Sequence, residues 1–98
     1  MREANWDDCI TNFSARRITP DLKRASSLIE TAKERIDLIE EVNEKNCNFV
    51  FEDYYTSLLE VLQAMTFKKG LNVLNHLCLG FYLRDVLERE DLYQLFDD

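Results

Sequence analysis

His76 is the one histidine of the chain, and Cys78 lies two residues beyond it. Imidazole and thiolate are the groups that hold zinc or form a nucleophile–base pair. On a helix, a separation of two residues turns the second side chain by about 200°. The pair therefore cannot grip one ion from a single helix. Cys9 and Cys47 stand at no ligand-pair spacing either. The residues thus read as a surface or inter-helix histidine, with Cys78 as a small core residue. No catalytic, cofactor-binding or metal-ligating residue is assigned.

Carboxylates occur in pairs at Glu40/Glu41, Glu52/Asp53, Glu90/Asp91 and Asp97/Asp98. Most fall on the polar side or at the ends of helical segments, where solvated charge is the default. Glu60 differs, because apolar residues surround it; it reads first as a Glu at the edge of the apolar face, whereas a half-buried carboxylate there would want a partner. Arg16, Arg17, Lys23 and Arg24 form the basic cluster. Such a cluster is most often simply solvated, but it could also meet phosphates of RNA or an acidic protein surface. It also offsets the acidic stretch 85–98, which holds six acids and one Arg. Phe49, Phe51, Tyr54 and Tyr55 have the faces of a base-stacking platform, but their helical spacing beside leucines reads as core packing. No Gly-rich phosphate loop, Ser-His-Asp arrangement, Walker motif or Rossmann motif is present.

The elements that carry these residues are helical. The 98 residues include 2 Gly and 1 Pro, too few turn residues for a sandwich or barrel. A net charge of −7 argues against strong nucleic-acid binding. No apolar run approaches the roughly 18 residues of a membrane span. With 3 cysteines in no disulfide pattern, the expected compartment is reducing, hence cytoplasmic. The N-terminal Met1-Arg-Glu-Ala-Asn-Trp shows no apolar core of a secretion signal.

Thr19-Pro20-Asp21 predicts a helix start, with Thr19 as N-cap and Pro20 in the first turn. Leu22, Ala25, Ile29, Ala32, Ile36 and Ile39 follow as one stripe. This predicts a helix over about 20–45, ended by Asn43, Asn46 and Asn48. A second helix is expected over about 50–68, with Phe51, Tyr55, Leu58, Leu62 and Met65 as its buried stripe. Gly70 suits the left-handed residue after it. A third is expected over about 71–89, with Leu74, Leu77, Cys78 and Phe81 inward and Gly80 marking a close helix approach. Trp6, Ile10 and Phe13 suggest a short helix or arm in 1–19, and Leu92, Leu95 and Phe96 the stub of a last one.

The run Tyr55-Thr-Ser-Leu-Leu-Glu-Val-Leu-Gln-Ala-Met-Thr-Phe-Lys-Lys-Gly70 is followed by Asn72-Val-Leu-Asn-His76, Phe81-Tyr-Leu-Arg-Asp-Val-Leu87 and Leu92-Tyr-Gln-Leu-Phe96. Upstream stand Leu22-Lys-Arg-Ala25 and Ser27-Leu-Ile-Glu-Thr-Ala32. In this order they resemble the HEPN domain, especially its compact stand-alone archaeal and bacterial members, over roughly residues 20–96. The resemblance implies an up-and-down helical bundle, often dimeric. The family includes metal-independent ribonucleases, toxins and partners of small nucleotidyltransferases. Its active members carry an Arg-x4–6-His motif at the start of the last helix. His76 has no Arg at that distance, Lys69 being seven residues earlier, and no His follows Arg84 or Arg89. The family's catalytic residues therefore transfer to no position here.

The expected fold is all-α: an antiparallel up-and-down bundle of three main helices plus a short terminal helix. Residues 1–19 form an arm or short helix, and 20–98 the HEPN-like bundle. The expected function is a helical protein-interaction module without nuclease chemistry, leaning away from an enzyme. It homodimerises where a missing closing helix leaves an apolar groove, unless residues 1–19 fill that groove. The alternative is a shortened HEPN ribonuclease or toxin whose motif lies beyond Asp98. A nucleotidyltransferase-type protein is a candidate partner, RNA a weaker one, and a membrane none.

Overall fold

The computed structural model describes residues 4–97. The expectations placed on Met1–Glu3, on Asp98 and on the side chains of Leu95, Phe96 and Asp97 lie outside the described residues. The chain is mostly helical. Helix α1 spans Trp6–Thr11 and strand β1 Ala15–Arg17. Helices α2 and α3 span Leu22–Asp37 and Cys47–Lys68. Strand β2 spans Leu71–Val73, helix α4 His76–Phe81, a π-helical turn Tyr82–Val86, and helix α5 Glu90–Asp97.

Residues 1–19 are more than an arm. Asn5 caps α1 reciprocally: its side chain accepts from the Asp8 N–H, and the Asp8 carboxylate accepts from the Asn5 N–H. After α1, Phe13 takes a left-handed φ of 64°, turning the chain into β1. Strand β1 pairs antiparallel with β2, placing Ala15 opposite Val73 and Arg17 opposite Leu71.

Helix α2 starts at an Asp21 cap, not at Thr19. The N–H groups of Ile18 and Asp21 donate to the carbonyls of Gly70 and Phe67, at 2.8 and 3.0 Å. These bonds hold Thr19–Pro20 as a link against the end of α3. Asp21 then accepts from the Arg24 N–H at 3.0 Å. The helix stops at Asp37, well short of 45. The Asn43 side chain accepts from the N–H groups of Lys45 and Asn46, and Asn46 in turn holds the Asn43 N–H and the Glu41 carbonyl. Such local side-chain bonds compete with the helical ladder, so the apolar spacing of Ile39 and Val42 does not carry the helix onward.

Helix α3 ends as its sequence indicates, with Gly70 at φ 78°. The expected helix over 71–89 does not form as one piece. Leu71-Asn-Val73 alternates apolar and polar, and the β1 backbone is at hand to pair with it. Asn75 then caps α4, accepting from the Cys78 N–H at 2.8 Å. Past Phe81 the ladder widens, with the Leu87 N–H reaching Tyr82 O at 3.1 Å. Glu88 at φ 55° ends this segment.

The main core joins Cys9, Ala15, Leu59, Leu62, Val73, Cys78, Leu79, Phe81 and Leu83. Beside it, Ala25, Ala64 and Phe67 let α2 and α3 approach closely. Cys9 and Cys78 form a disulfide across 69 residues, tying α1 to α4. This corrects the expectation of unpaired cysteines, and the argument from them to a reducing compartment loses its premise. The molecule measures 43 × 37 × 19 Å. Its thinnest dimension equals about two helix diameters, which leaves room for two layers of helix.

Candidate interaction surface

The residues with catalytic potential are dispersed. His76 is exposed at the first position of α4. Cys78 is locked in the disulfide, so it offers neither a thiolate nucleophile nor a thiolate ligand. Cys47 is exposed at the start of α3. Among the described residues, no group of three or more His, Cys, Asp or Glu is placed to hold a metal ion. No described helix is long and apolar enough to cross a membrane.

Glu60 does have the partner its apolar setting calls for. Arg35 on α2 pairs with it, the two side chains being 27% and 13% exposed. A second polar cluster ties down the start of α1. The Asp85 carboxylate accepts from Arg84 Nε at 2.7 Å and from the Trp6 N–H at 2.9 Å. The Arg84 hydrogen bond, aided by that of Trp6, holds the Asp85 pKa below its ordinary 3.8. Arg84 also lies over the Phe81 and Tyr93 rings, at 4.8 and 4.9 Å. This cluster holds the chain before α1 on the π-helical turn.

The aromatic stripe corrects the sequence reading. Phe49, Phe51 and Tyr54 are 68%, 67% and 50% exposed. Val50 in the same turns is buried, so the start of α3 has one covered face and leaves these three rings on the open one. Leu59, Leu62, Ala64 and Phe67 are the buried apolar residues further along α3, while Met65 is also exposed.

Along the α2/α3 hairpin runs an open, largely apolar groove. Its distal half, about 360 Å³, is walled by Ile29, Ala32 and Ile36 on α2 and by Tyr54, Leu58 and Val61 on α3. Lys33, Asp37 and Ser57 complete the lining. The basal half, about 500 Å³, shares Ile29 and Lys33 and continues to Leu22, Ala25, Ser26, Glu30 and Lys68. Ser57 is buried, yet its hydroxyl has no hydrogen-bond partner. Among the described residues, 4–19 do not fill this groove, because α1 and β1 pack on α4 and β2.

The fold gathers charge that the sequence spreads out. Arg16 and Arg17 on β1, Lys23 and Arg24 on α2, and Lys68 and Lys69 at the end of α3 lie on segments that the backbone bonds bring together at the base of the hairpin. Arg24 lies over the Phe67 ring at 4.5 Å. None of the six forms an ion pair among the described residues. Sequence reasoning found the first four; the lysines join them only because Ile18 and Asp21 bond to the end of α3. No family model, curated protein or solved structure matches the chain.

Proposed function

We propose that the chain is a HEPN-like helical protein-interaction module, without nuclease chemistry of its own, that homodimerises through the α2/α3 groove. The observation that carries this reading is the uncovered apolar groove, whose walls are residues of the type that protein contacts bury. The dispersal of His76, the tied Cys78 and the missing Arg-x4–6-His spacing support the non-catalytic part. The test is the solution mass of the purified chain by light scattering, with helicity followed by circular dichroism. A helical dimer that Val61→Gln or Ile36→Gln dissociates, with helicity retained, supports the reading. Persistent metal-independent RNA cleavage after stringent repurification, lost in His76→Ala with the fold intact, overturns it.

A further inference from the structure

The two ends of the groove carry opposite charge. At the base stand Arg16, Arg17, Lys23, Arg24, Lys68 and Lys69, which outnumber the acids there, Asp21 and Glu30. At the tip stand Asp37, Glu40, Glu41, Glu44, Glu52 and Asp53, with Lys45 as the lone cation among them. Lys68 and Asp37 line the groove itself, one at each end. From Leu22 to Asp37, α2 advances about 22 Å, so the two poles are well separated at physiological ionic strength. Apolar groups are exposed at both poles: Leu22 at 61% at the base, and Leu38 at 81% and Phe51 at 67% at the tip. Asp37 also lies in the last turn of α2, at the negative end of the helix dipole, where an anion disfavours the helix that carries it. A cation from outside would relieve that.

We infer that the occupant of the groove is a second copy of this chain laid antiparallel, the acidic tip of each hairpin on the basic base of the other. This rests on the interaction reading above and specifies its partner and geometry. A twofold axis near Ile29 and Lys33 makes the contact isologous, so each Lys68 meets the partner copy's acidic tip and each Asp37 its basic base. The parallel arrangement sets like poles together and is disfavoured. A chain of net charge −7 repels itself at random orientation, so segregated poles select this one approach. The apolar walls then face each other, and the unpartnered Ser57 hydroxyls lie inside the contact.

Two full-length variants test the geometry: a tip variant, Asp37→Lys with Glu41→Lys, and a base variant, Lys23→Glu with Lys68→Glu. Circular dichroism confirms that each folds. Alone, each keeps one strong pole and loses most of the charge of the other, and its dimer is expected to weaken by more than about tenfold. Mixed one to one, the unaltered base of the tip variant meets the unaltered tip of the base variant, and a heterodimer is expected over either homodimer by native mass spectrometry. Wild-type dimerisation is expected to weaken as NaCl rises from about 0.05 M to about 0.5 M. If wild type dimerises through the groove but the variants neither weaken alone nor recover on mixing, the antiparallel geometry is overturned while the interaction reading stands. A wild-type chain that stays monomeric at about 100 μM and low salt, yet is captured through its groove by a different protein, overturns the second copy as occupant. A chain whose Val61→Gln variant alters no association overturns the interaction reading as well.

Discussion

Arg35 and Glu60 pair across the α2/α3 contact, a cation from one helix meeting a carboxylate from the other in a largely apolar setting. Each neutralises a charge that would be costly to bury alone. Removing one partner is therefore expected to cost more than removing both. Glu60→Ala should destabilise by about 2 kcal/mol, below the fully buried case because water still reaches Arg35. Arg35→Met with Glu60→Leu should recover most of that loss. Urea melts of the two singles and the double check it; additive losses would show that the pair is not coupled.

The disulfide between Cys9 and Cys78 closes a loop with a sequence separation of 69. In the chain-entropy account, a loop of that length stabilises by up to about 4 kcal/mol. Reduction, or Cys9→Ala with Cys78→Ala, should lower the unfolding midpoint accordingly. It should first loosen α1, which the bond ties to α4. Peptide mapping without reductant should recover the linked Cys9 and Cys78 peptides, with the exposed Cys47 alkylated. Equal midpoints with and without reductant would contradict the claim.

Leu62 and Phe51 separate the observed core from the stripe that spacing suggests. Leu62 is 2% exposed within the main cluster, whereas Phe51 is 67% exposed. Leu62→Ala should cost about 2–5 kcal/mol. Phe51→Ala should change the stability of the monomer by less than about 0.5 kcal/mol, while weakening the dimer if the tip is part of the contact. Denaturant melts at low protein concentration, paired with light scattering, read the two effects separately.

What the sequence carried was local and periodic. The α3 helix and the left-handed Gly70 follow from spacing and residue chemistry alone, whereas a partner for Glu60 is the lesser of the two readings its apolar setting allows. The failures share a physical cause, which is that a distant segment changed what the local pattern would do. Leu71-Asn-Val73 is compatible with a helix until β1 offers its backbone. Thr19 loses the cap to Asp21 because Ile18 and Asp21 bond to the end of α3. The Cys9–Cys78 pairing has no spacing signature, and an odd cysteine count hides it further. The groove was anticipated in kind, from the expectation of an uncovered helical face. The approach of Lys68 and Lys69 to Arg16, Arg17, Lys23 and Arg24 was not, since it depends on long-range backbone bonds.

Gly70 stands where only the missing side chain fits. Its φ is 78°, and a Cβ there would lie 2.7 Å from the Ile18 carbonyl oxygen. That oxygen belongs to backbone held in place by the Ile18 N–H bond to Gly70 O. Gly70→Ala therefore meets both a disfavoured dihedral and a clash that side-chain rotation cannot relieve. A loss above about 1 kcal/mol is expected, together with faster exchange of the Ile18 and Asp21 amides. A neutral substitution would show that the turn sits elsewhere.

The Asp85 carboxylate links stability to pH in a definite direction. Hydrogen bonds from Arg84 and the Trp6 N–H hold its folded pKa below the ordinary 3.8, which approximates the unfolded state. The unfolded chain thus takes up the proton first as acid is added. The stabilisation is fully present above that value and disappears as pH falls through it toward the folded pKa. Urea melts from neutral pH to about pH 3 should show wild type more stable than Asp85→Asn near neutrality, with the gap closing below about pH 4. The acid loss should begin at the N-terminal end, because protonation frees the Trp6 N–H and unsettles α1 on the π-helical turn. Trp6 fluorescence reports that step directly, through its edge-to-face contact with Tyr82 at 5.2 Å. A gap that stays constant with pH would mean that Asp85 acts by shape alone.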